Sequence, residues 1–470
     1  MEQQLFAQLK NFYAGYSPLA HLDSLTEKGS AGSASAMVNC DILNGGYLQQ
    51  GPGLATLTDG TEAGAITELV NYILDIPPVD GFTFGISATK LHKISPTAVI
   101  NASPFPQAIT SAVSGKSVAY LKGGLYYFFT RAADGAIGTY NLDATFNHAW
   151  QTGLQKADLY PVAVKEDIML FGHGRYVGVY FQSTASMNLT RLDFGTNNEV
   201  ADIVFHGNQW VIAVNGGLSG TNRNLSNIYT YAGGATTALL SDEASIGVQK
   251  IGFLFPLTGI IYVAYQDLSF AGGYKIGFLA GREIKPLAHF QGSLPTYAQK
   301  TLFKNTILFI SGGAIYSAGA VVGELPFAIS QYMDAGFSTV GAIACPFGDI
   351  LVASTQSTFF KLAKNSGYDT ACSWRSVVIP AISGKYSGFI DFIVVRTNTL
   401  GSGAAASLKL EIDQASTTTD AYAIATTGKR KHIRNINKAC DDFRILIDFA
   451  TGSTSNPCQI KSIDVWGHLK

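Results

Sequence analysis

The sequence predicts an all-β protein: a six- or seven-bladed β-propeller followed by a C-terminal antiparallel β-sandwich, with an extended N-terminal arm. Three observations predict it. The 470 residues include 50 Gly, 22 Tyr and 28 Phe, and only 14% are charged, against ~25% in an average soluble chain. Such a composition favours strands and tight turns. A unit of apolar strand, Gly/Asn turn and apolar strand recurs about every 45 residues, a period typical of propeller blades. No long amphipathic helix pattern interrupts the repeat.

Residues 1–36 stand apart from the repeat. Residues 2–16 are expected to make a short helix. Gly29-Ser30-Ala31-Gly32-Ser33-Ala34-Ser35-Ala36 is a small-residue linker with nothing to bury. The whole segment reads as an arm that orders against a partner. It lacks the basic and apolar regions of a secretory signal.

Residues 37–374 are assigned to the propeller. Hairpin turns are expected at Gly123-Gly124, Gly172-His173-Gly174, Gly207-Asn208, Thr258-Gly259, Lys304-Asn305 and Gly348-Asp349. Gly and Asn supply the positive φ that tight hairpins need. An earlier hairpin is expected across 70–94. Near-continuous apolar runs fit blades covered on both faces. The longest, 251–265, is too short and too interrupted by Pro256 and Gly259 to span a membrane as a helix.

Residues 375–470 are assigned to the sandwich, because the period stops and strands alternate apolar with polar. Strands are expected at 389–396, 407–413, 421–425, 443–449 and 459–466. Leu408, Leu410 and Ile412 face one side, Lys409 and Glu411 the other.

The search for chemistry returns turns and strands. Gly115-Lys116-Ser117 is similar to the end of a phosphate-binding loop, but Thr110 stands where its first Gly belongs, and a strand follows. Gly172, Gly174 and Gly178 miss the dinucleotide spacing. Five cysteines (Cys40, Cys345, Cys372, Cys440, Cys458) form an odd set without Cys-x-x-Cys spacing, so buried free thiols are expected. Cys440 and Cys458 could meet across paired strands. Eight scattered histidines and the adjacent acids Glu166-Asp167, Asp242-Glu243 and Asp441-Asp442 make no metal or acid–base motif. The expectation is a chain that is not an enzyme, with no catalytic residue, cofactor or metal.

Lys+Arg number 32 and Asp+Glu 33, a net charge of −1, which argues against a dedicated nucleic-acid binder. Within that near-neutral chain Lys429, Arg430, Lys431, Arg434 and Lys438 form a local basic excess beside His432. These residues are candidates for contact with an acidic partner or DNA. A solvated loop between two sandwich strands is the plainer reading.

The segment Asn39-Cys40-Asp41-Ile42-Leu43-Asn44-Gly45-Gly46-Tyr47-Leu48-Gln49-Gln50-Gly51-Pro52-Gly53-Leu54 resembles the opening of β-propeller virion proteins of tailed bacteriophages. It is similar to the packaged-DNA stabilisation, or head-completion, proteins of short-tailed phages. Phe82-Thr83-Phe84-Gly85 with Leu91-His92-Lys93-Ile94 is similar to their first blade, and Cys458-Gln459-Ile460-Lys461-Ser462-Ile463-Asp464-Val465 resembles their closing strand. The resemblance implies a virion location in the neck or tail, after synthesis in the host cytoplasm. It implies a ring of copies, usually six, that extends the DNA channel, helps retain packaged DNA and docks portal, adaptor or further tail proteins. Packaged DNA would lie beside the channel.

Two other functions follow from the same architecture. A glycan- or receptor-binding propeller would use loop aromatics such as Tyr229, Tyr231, Tyr265 and Tyr274, which otherwise fill the gaps between blades. A propeller glycoside hydrolase would need carboxylates converging on the axis, for which no linear motif is present.

Overall fold

The computed structural model describes residues 4–10, 12, 34–38, 40–42, 47–57, 68–78, 81–97, 99–100, 103–142, 145–219, 222–223, 226–233, 240–245, 250–266, 272–319, 328–334, 339–356, 359–368, 372–376, 378–381, 387–413, 422–449 and 457–469. Most of the linker and Asn39 and 43–46 of the phage-like segment lie outside them.

The apolar runs become hairpins because positive-φ residues close the tight turns, two of them at each of four inner turns. Lys122-Gly123, Gly207-Asn208, Thr258-Gly259 and Lys304-Asn305 all adopt positive φ, the geometry that matches the twist of paired strands. Seven antiparallel sheets follow in chain order. Blade 1 contains Tyr72–Ile73, Thr83–Ile86, Lys90–Ile94 and Gln107–Ala108, with Val99–Ile100 beside the third strand. Blade 2 is Ser114–Leu121, Gly124–Thr130, Gly135–Asn141 and Thr145–Leu154. Blade 3 is Val162–Lys165, Ile168–His173, Tyr176–Phe181 and Ser186–Asp193. Blade 4 is Asn198–His206, Gln209–Gly216, Asn227–Tyr231 and Leu240–Ser245. Blade 5 is Lys250–Leu257, Ile260–Gln266, Gly273–Ala280 and Glu283–Gln291. Blade 6 is Lys300–Phe303, Thr306–Ser311, Ala314–Gly319 and Ala328–Asp334.

Blade 7 takes Thr339–Ala344, Leu351–Gln356 and Phe359–Tyr368 from one end of the propeller sequence. Its fourth strand, Pro52–Thr56, comes from the other end. The ring is thus closed by hydrogen bonds between the start and the finish of the propeller. Separate apolar cores fill each gap between neighbouring blades. The core that joins blade 7 to blade 1 packs Ala342, Leu351 and Ala353 against Val70, Ile73 and Ile94.

The sandwich has two sheets. One is ordered Gln4–Lys10, Ile460–Leu469, Gly388–Thr397, Lys431–Cys440. The other is ordered Ala34–Val38, Cys372–Ser376, Asp442–Phe449, Ala406–Ile412, Tyr422–Ile424, with Ile379–Pro380 also on Asp442–Phe449. Asp442–Phe449 alternates half-buried and buried side chains along its length, as a strand with one covered face must. Across the other face, Arg375 and Arg444 both bind Glu411, and Lys409 Nζ reaches Asp448 Oδ2 at 2.7 Å.

Two expectations for the arm are corrected. Gln4–Lys10 is a strand, not part of a helix: it pairs with Ile460–Leu469, Gln8 facing Asp464 and Leu9 facing Ile463. An isolated helix this short is marginal in water, whereas an open sheet edge offers backbone partners along one side of the strand. Nor do the described parts of the arm wait for another molecule. Ala7, Leu9, Phe12 and Met37 are buried in the sandwich core, with Phe12 edge-on to Trp374 at 5.3 Å between ring centroids. Among the described residues no helix is long and apolar enough to cross a membrane.

Candidate functional site

Three places in the fold gather residues that the sequence singles out or that the topology brings together. The first is the seam between the modules. Cys40–Asp41 pairs with Gln49–Gln50. Leu48 and Ile460 exchange both backbone hydrogen bonds, at 3.1 and 2.8 Å. Gln459 Nε2 donates to Gln49 Oε1 at 2.7 Å, and Gln49 Nε2 donates to the buried Asp41 carboxylate at 3.0 Å. Segments 39–54 and 458–465 therefore touch, although more than 400 residues separate them. Both chain crossings between the modules run here, since Pro52–Thr56 and Phe359–Tyr368 are paired with each other.

The second place is the propeller axis, where the first strands of the blades meet. Asp202 of blade 4 lies 3% exposed and binds the ammonium of Lys300 from blade 6. It also accepts the N–H groups of Ile203 and Leu254, at 2.9 and 2.7 Å. Burial raises the Asp202 carboxyl and lowers the Lys300 ammonium from their usual ranges, each opposed by the other's charge. Asp75 follows the first strand of blade 1. Its Oδ1 accepts the Thr301 hydroxyl at 2.7 Å and the Cys345 N–H at 2.9 Å.

Asp75 is exposed to solvent, yet protein atoms crowd its carboxyl. That crowding pushes its carboxyl up to about 6, against the lowering pull of Cys345 N–H, Thr301 and Lys300. Glu199 is raised by burial too, and Lys116 is lowered by burial against the charges of Asp158 and Glu199.

Tyr297, from the loop before blade 6, reaches across this axis. Its hydroxyl donates to the Lys116 carbonyl of blade 2 at 2.9 Å and accepts the Tyr160 N–H before blade 3 at 3.4 Å. Its ring lies 5.9 Å from that of Tyr72. Blade 6 stands opposite blades 2 and 3 in a seven-membered ring, so this side chain crosses the axis.

The third place is the basic run. It is not a loop, as the plainer sequence reading held. Lys429 and Arg430 end a turn, while Lys431, Arg434 and Lys438 lie on Lys431–Cys440, the last strand of its sheet. The strand forms because His432 and Ile436 find the sandwich interior between exposed neighbours. Arg434 stacks over Tyr422 at 5.6 Å from the ring centroid.

Other sequence candidates resolve as structure. Gly115, Lys116 and Ser117 lie within a strand, and Gly174 adopts positive φ at a hairpin turn. All five cysteines are free thiols. Among the described residues no group of three His, Cys, Asp or Glu side chains could hold a metal ion. Tyr231, Tyr265 and Tyr274 are buried and Tyr229 packs against the core between blades 3 and 4, so the loop platform imagined for sugars is not there.

No protein-family model matches the chain, and no curated protein matches it. Among solved structures it is similar to the Neurospora crassa Pan2 WD40 domain, at 8% identity over 67% of this chain and 95% of that one, TM-score 0.44. It is also similar to the extracellular domain of BT4673 from B. thetaiotaomicron, at 14% identity over 72% of this chain, TM-score 0.45; it spans 43% of that protein. A third is the exo-β-1,3-galactanase from Phanerochaete chrysosporium, at 11% identity over 89% of this chain and 100% of that one, TM-score 0.32. At these levels the likeness speaks for architecture alone, and none of the three is a virion protein. The expectation that the chain is not an enzyme is nonetheless corrected: it rested on missing linear motifs, and a propeller can gather its residues from separate blades. The axis also gathers the carboxylates that no linear motif announces.

Proposed function

We propose that the chain is a structural virion protein of a tailed phage. Its copies would form a ring in the head–tail connector, neck or tail that extends the DNA channel, helps retain packaged DNA and docks further tail components. One observation supports this reading most: two of the three segments that resemble short-tailed-phage head-completion proteins meet at the seam, through the Leu48–Ile460 backbone pair and the Gln49–Gln459 side-chain bond. They behave as one architectural feature, the joint between propeller and sandwich. Because Tyr297 crosses the propeller's axis, the DNA passage in this reading is the hole of the ring, bounded by neighbouring copies. Immunogold electron microscopy on intact particles from the protein's source tests it. Label at the head–tail junction or along the tail is expected; absence from particles in a source that expresses the protein would sink it.

A second reading, a carboxylate-dependent glycoside hydrolase, is favoured by a separate observation. Asp75 faces solvent at the axis with its carboxyl pushed up to about 6, the range a general acid needs, and Asp202 and Glu199 sit on the facing strand of blade 4. Turnover of chromogenic glycosides that disappears in Asp75→Asn would establish it; a panel without turnover would end it.

A further inference from the structure

Strand Lys431–Cys440 pairs on one side with Gly388–Thr397, from Arg396 opposite Lys431 to Gly388 opposite Cys440. On its other side no described strand pairs with it. It therefore presents a row of alternating backbone N–H and C=O groups. Up to Asn435 the strand runs in regular register; beyond it Ile436 and Asn437 form a bulge, with Asn437 at φ 53°. Along the regular stretch Lys431, Ile433 and Asn435 point away from the core, and Ile433 is 51% exposed.

Among the described residues no ion pair neutralises the charge beside this edge. Arg375, Arg396, Lys409 and Arg444 of the same module each bind a carboxylate. None of Lys429, Arg430, Lys431, Arg434 and Lys438 is ion-paired among the described residues.

We infer that this edge takes up an extended acidic polypeptide segment of a partner, which adds a strand beside Lys431–Cys440. Backbone pairing supplies affinity and alternate side chains supply specificity in this mode of recognition. An apolar side chain of the incoming strand would cover Ile433, and its carboxylates would face Lys429, Arg430 and Lys431. Duplex DNA fits less well. Phosphates accept hydrogen bonds but donate none, so they leave the edge carbonyls unpaired, and Ile433 gains nothing from them. Lysines on an edge also discourage unwanted pairing, but that role does not account for a half-exposed isoleucine at the centre of the strand. The inference holds whichever assembly the chain belongs to.

Fluorescence anisotropy with the full chain tests it. The probes are a short labelled peptide alternating Glu and Val, the same peptide N-methylated at alternate residues, and a short labelled DNA duplex. The unmethylated peptide is expected to bind at low salt. N-methylation should weaken it by about tenfold or more, because one edge of the peptide can no longer donate. Ile433→Asn should weaken the unmethylated peptide while leaving the basic charge in place. Equal binding of the two peptides would reduce the surface to a charge patch and overturn the inference. Tighter binding of the duplex would reassign the surface to nucleic acid. No binding by any probe, with Lys431→Glu merely inducing self-association, would show a protective edge and also overturn it. The peptide comparison uses the unaltered protein, so a misfolded variant leaves the test intact.

Discussion

Gly341, on the inner strand of blade 7, has no room for a side chain. A Cβ there would lie 2.2 Å from the Val70 carbonyl of blade 1. Gly115 and Gly252 meet the carbonyls of Ser87 and Pro295 in the same way, each at 2.1 Å. All three sit at register shifts in an inner strand, where neighbouring backbones crowd the axis. Gly341→Ala is expected to cost about 1–3 kcal/mol through overpacking. Gly259 differs: its φ is +81° but nothing surrounds it, so Gly259→Asn, which tolerates that backbone, should stay within about 0.5 kcal/mol. Urea unfolding of both variants checks this; equal losses would refute the close-packing account.

Asp75 makes a pH prediction. Its folded carboxyl, at about 6, lies above the ordinary 3.8. The folded state therefore holds the proton more tightly than the unfolded chain. That stabilisation is complete below about pH 4 and is lost as pH rises through about 6. Asp75→Asn keeps an oxygen for Thr301 and Cys345 and removes the charge. It should melt higher than the parent at pH 8 and no higher at pH 4, by calorimetry. A uniform shift at both values would show that titration plays no part.

Among the elements, the hairpins were legible because their turn chemistry is local: the Gly207-Asn208 and Thr258-Gly259 turns fall where expected. Blade 3 shows the weakness of that signal. Its inner turn is at Glu166-Asp167, with Glu166 at φ 57°, and Gly174 belongs to the next hairpin. With residue 166 in place of 173, successive turns at 123, 166 and 207 are 43 and 41 apart, and the sequence repeat becomes more even. The Gln4–Lys10 strand was illegible for the opposite reason. Its apolar residues do not alternate strictly with polar ones, and its partner lies more than 440 residues away. Its contribution is measurable: Leu9 is fully buried, so Leu9→Ala should destabilise the sandwich by about 2–5 kcal/mol. A calorimetric trace unchanged by this substitution would mean that the strand is dispensable.

For the whole molecule, all-β class and the order of propeller before sandwich followed from periodicity. The axial cluster did not. Asp75, Asp202 and Lys300 come from blades 1, 4 and 6, and no linear motif joins them. A charged residue near the head of the inner strand in blades 2, 4, 5 and 6 (Lys116, Glu199, Lys250, Lys300) is the one signal that could have pointed there. Closure can be tested directly. A chain lacking residues 1–57 loses the last strand of blade 7, both N-terminal sandwich strands and the seam. It should show little amide protection in blade 7 and fail to unfold cooperatively. Retention of a sharp transition would mean that the ring closes through its inter-blade cores alone.

The pairing of Gln4–Lys10 with Ile460–Leu469 also sets a timetable for biosynthesis. A ribosome adding about 5–20 residues per second needs roughly 20–90 s to travel from one strand to the other. Throughout that interval Ala7, Leu9 and Phe12 have no core to enter, and Pro52–Thr56 waits about two-thirds as long for Phe359–Tyr368. A chain released before Phe359 leaves both modules open at once. Synthesis of Ile460–Leu469 thus acts as a quality gate, since only a chain that has reached it can close both modules.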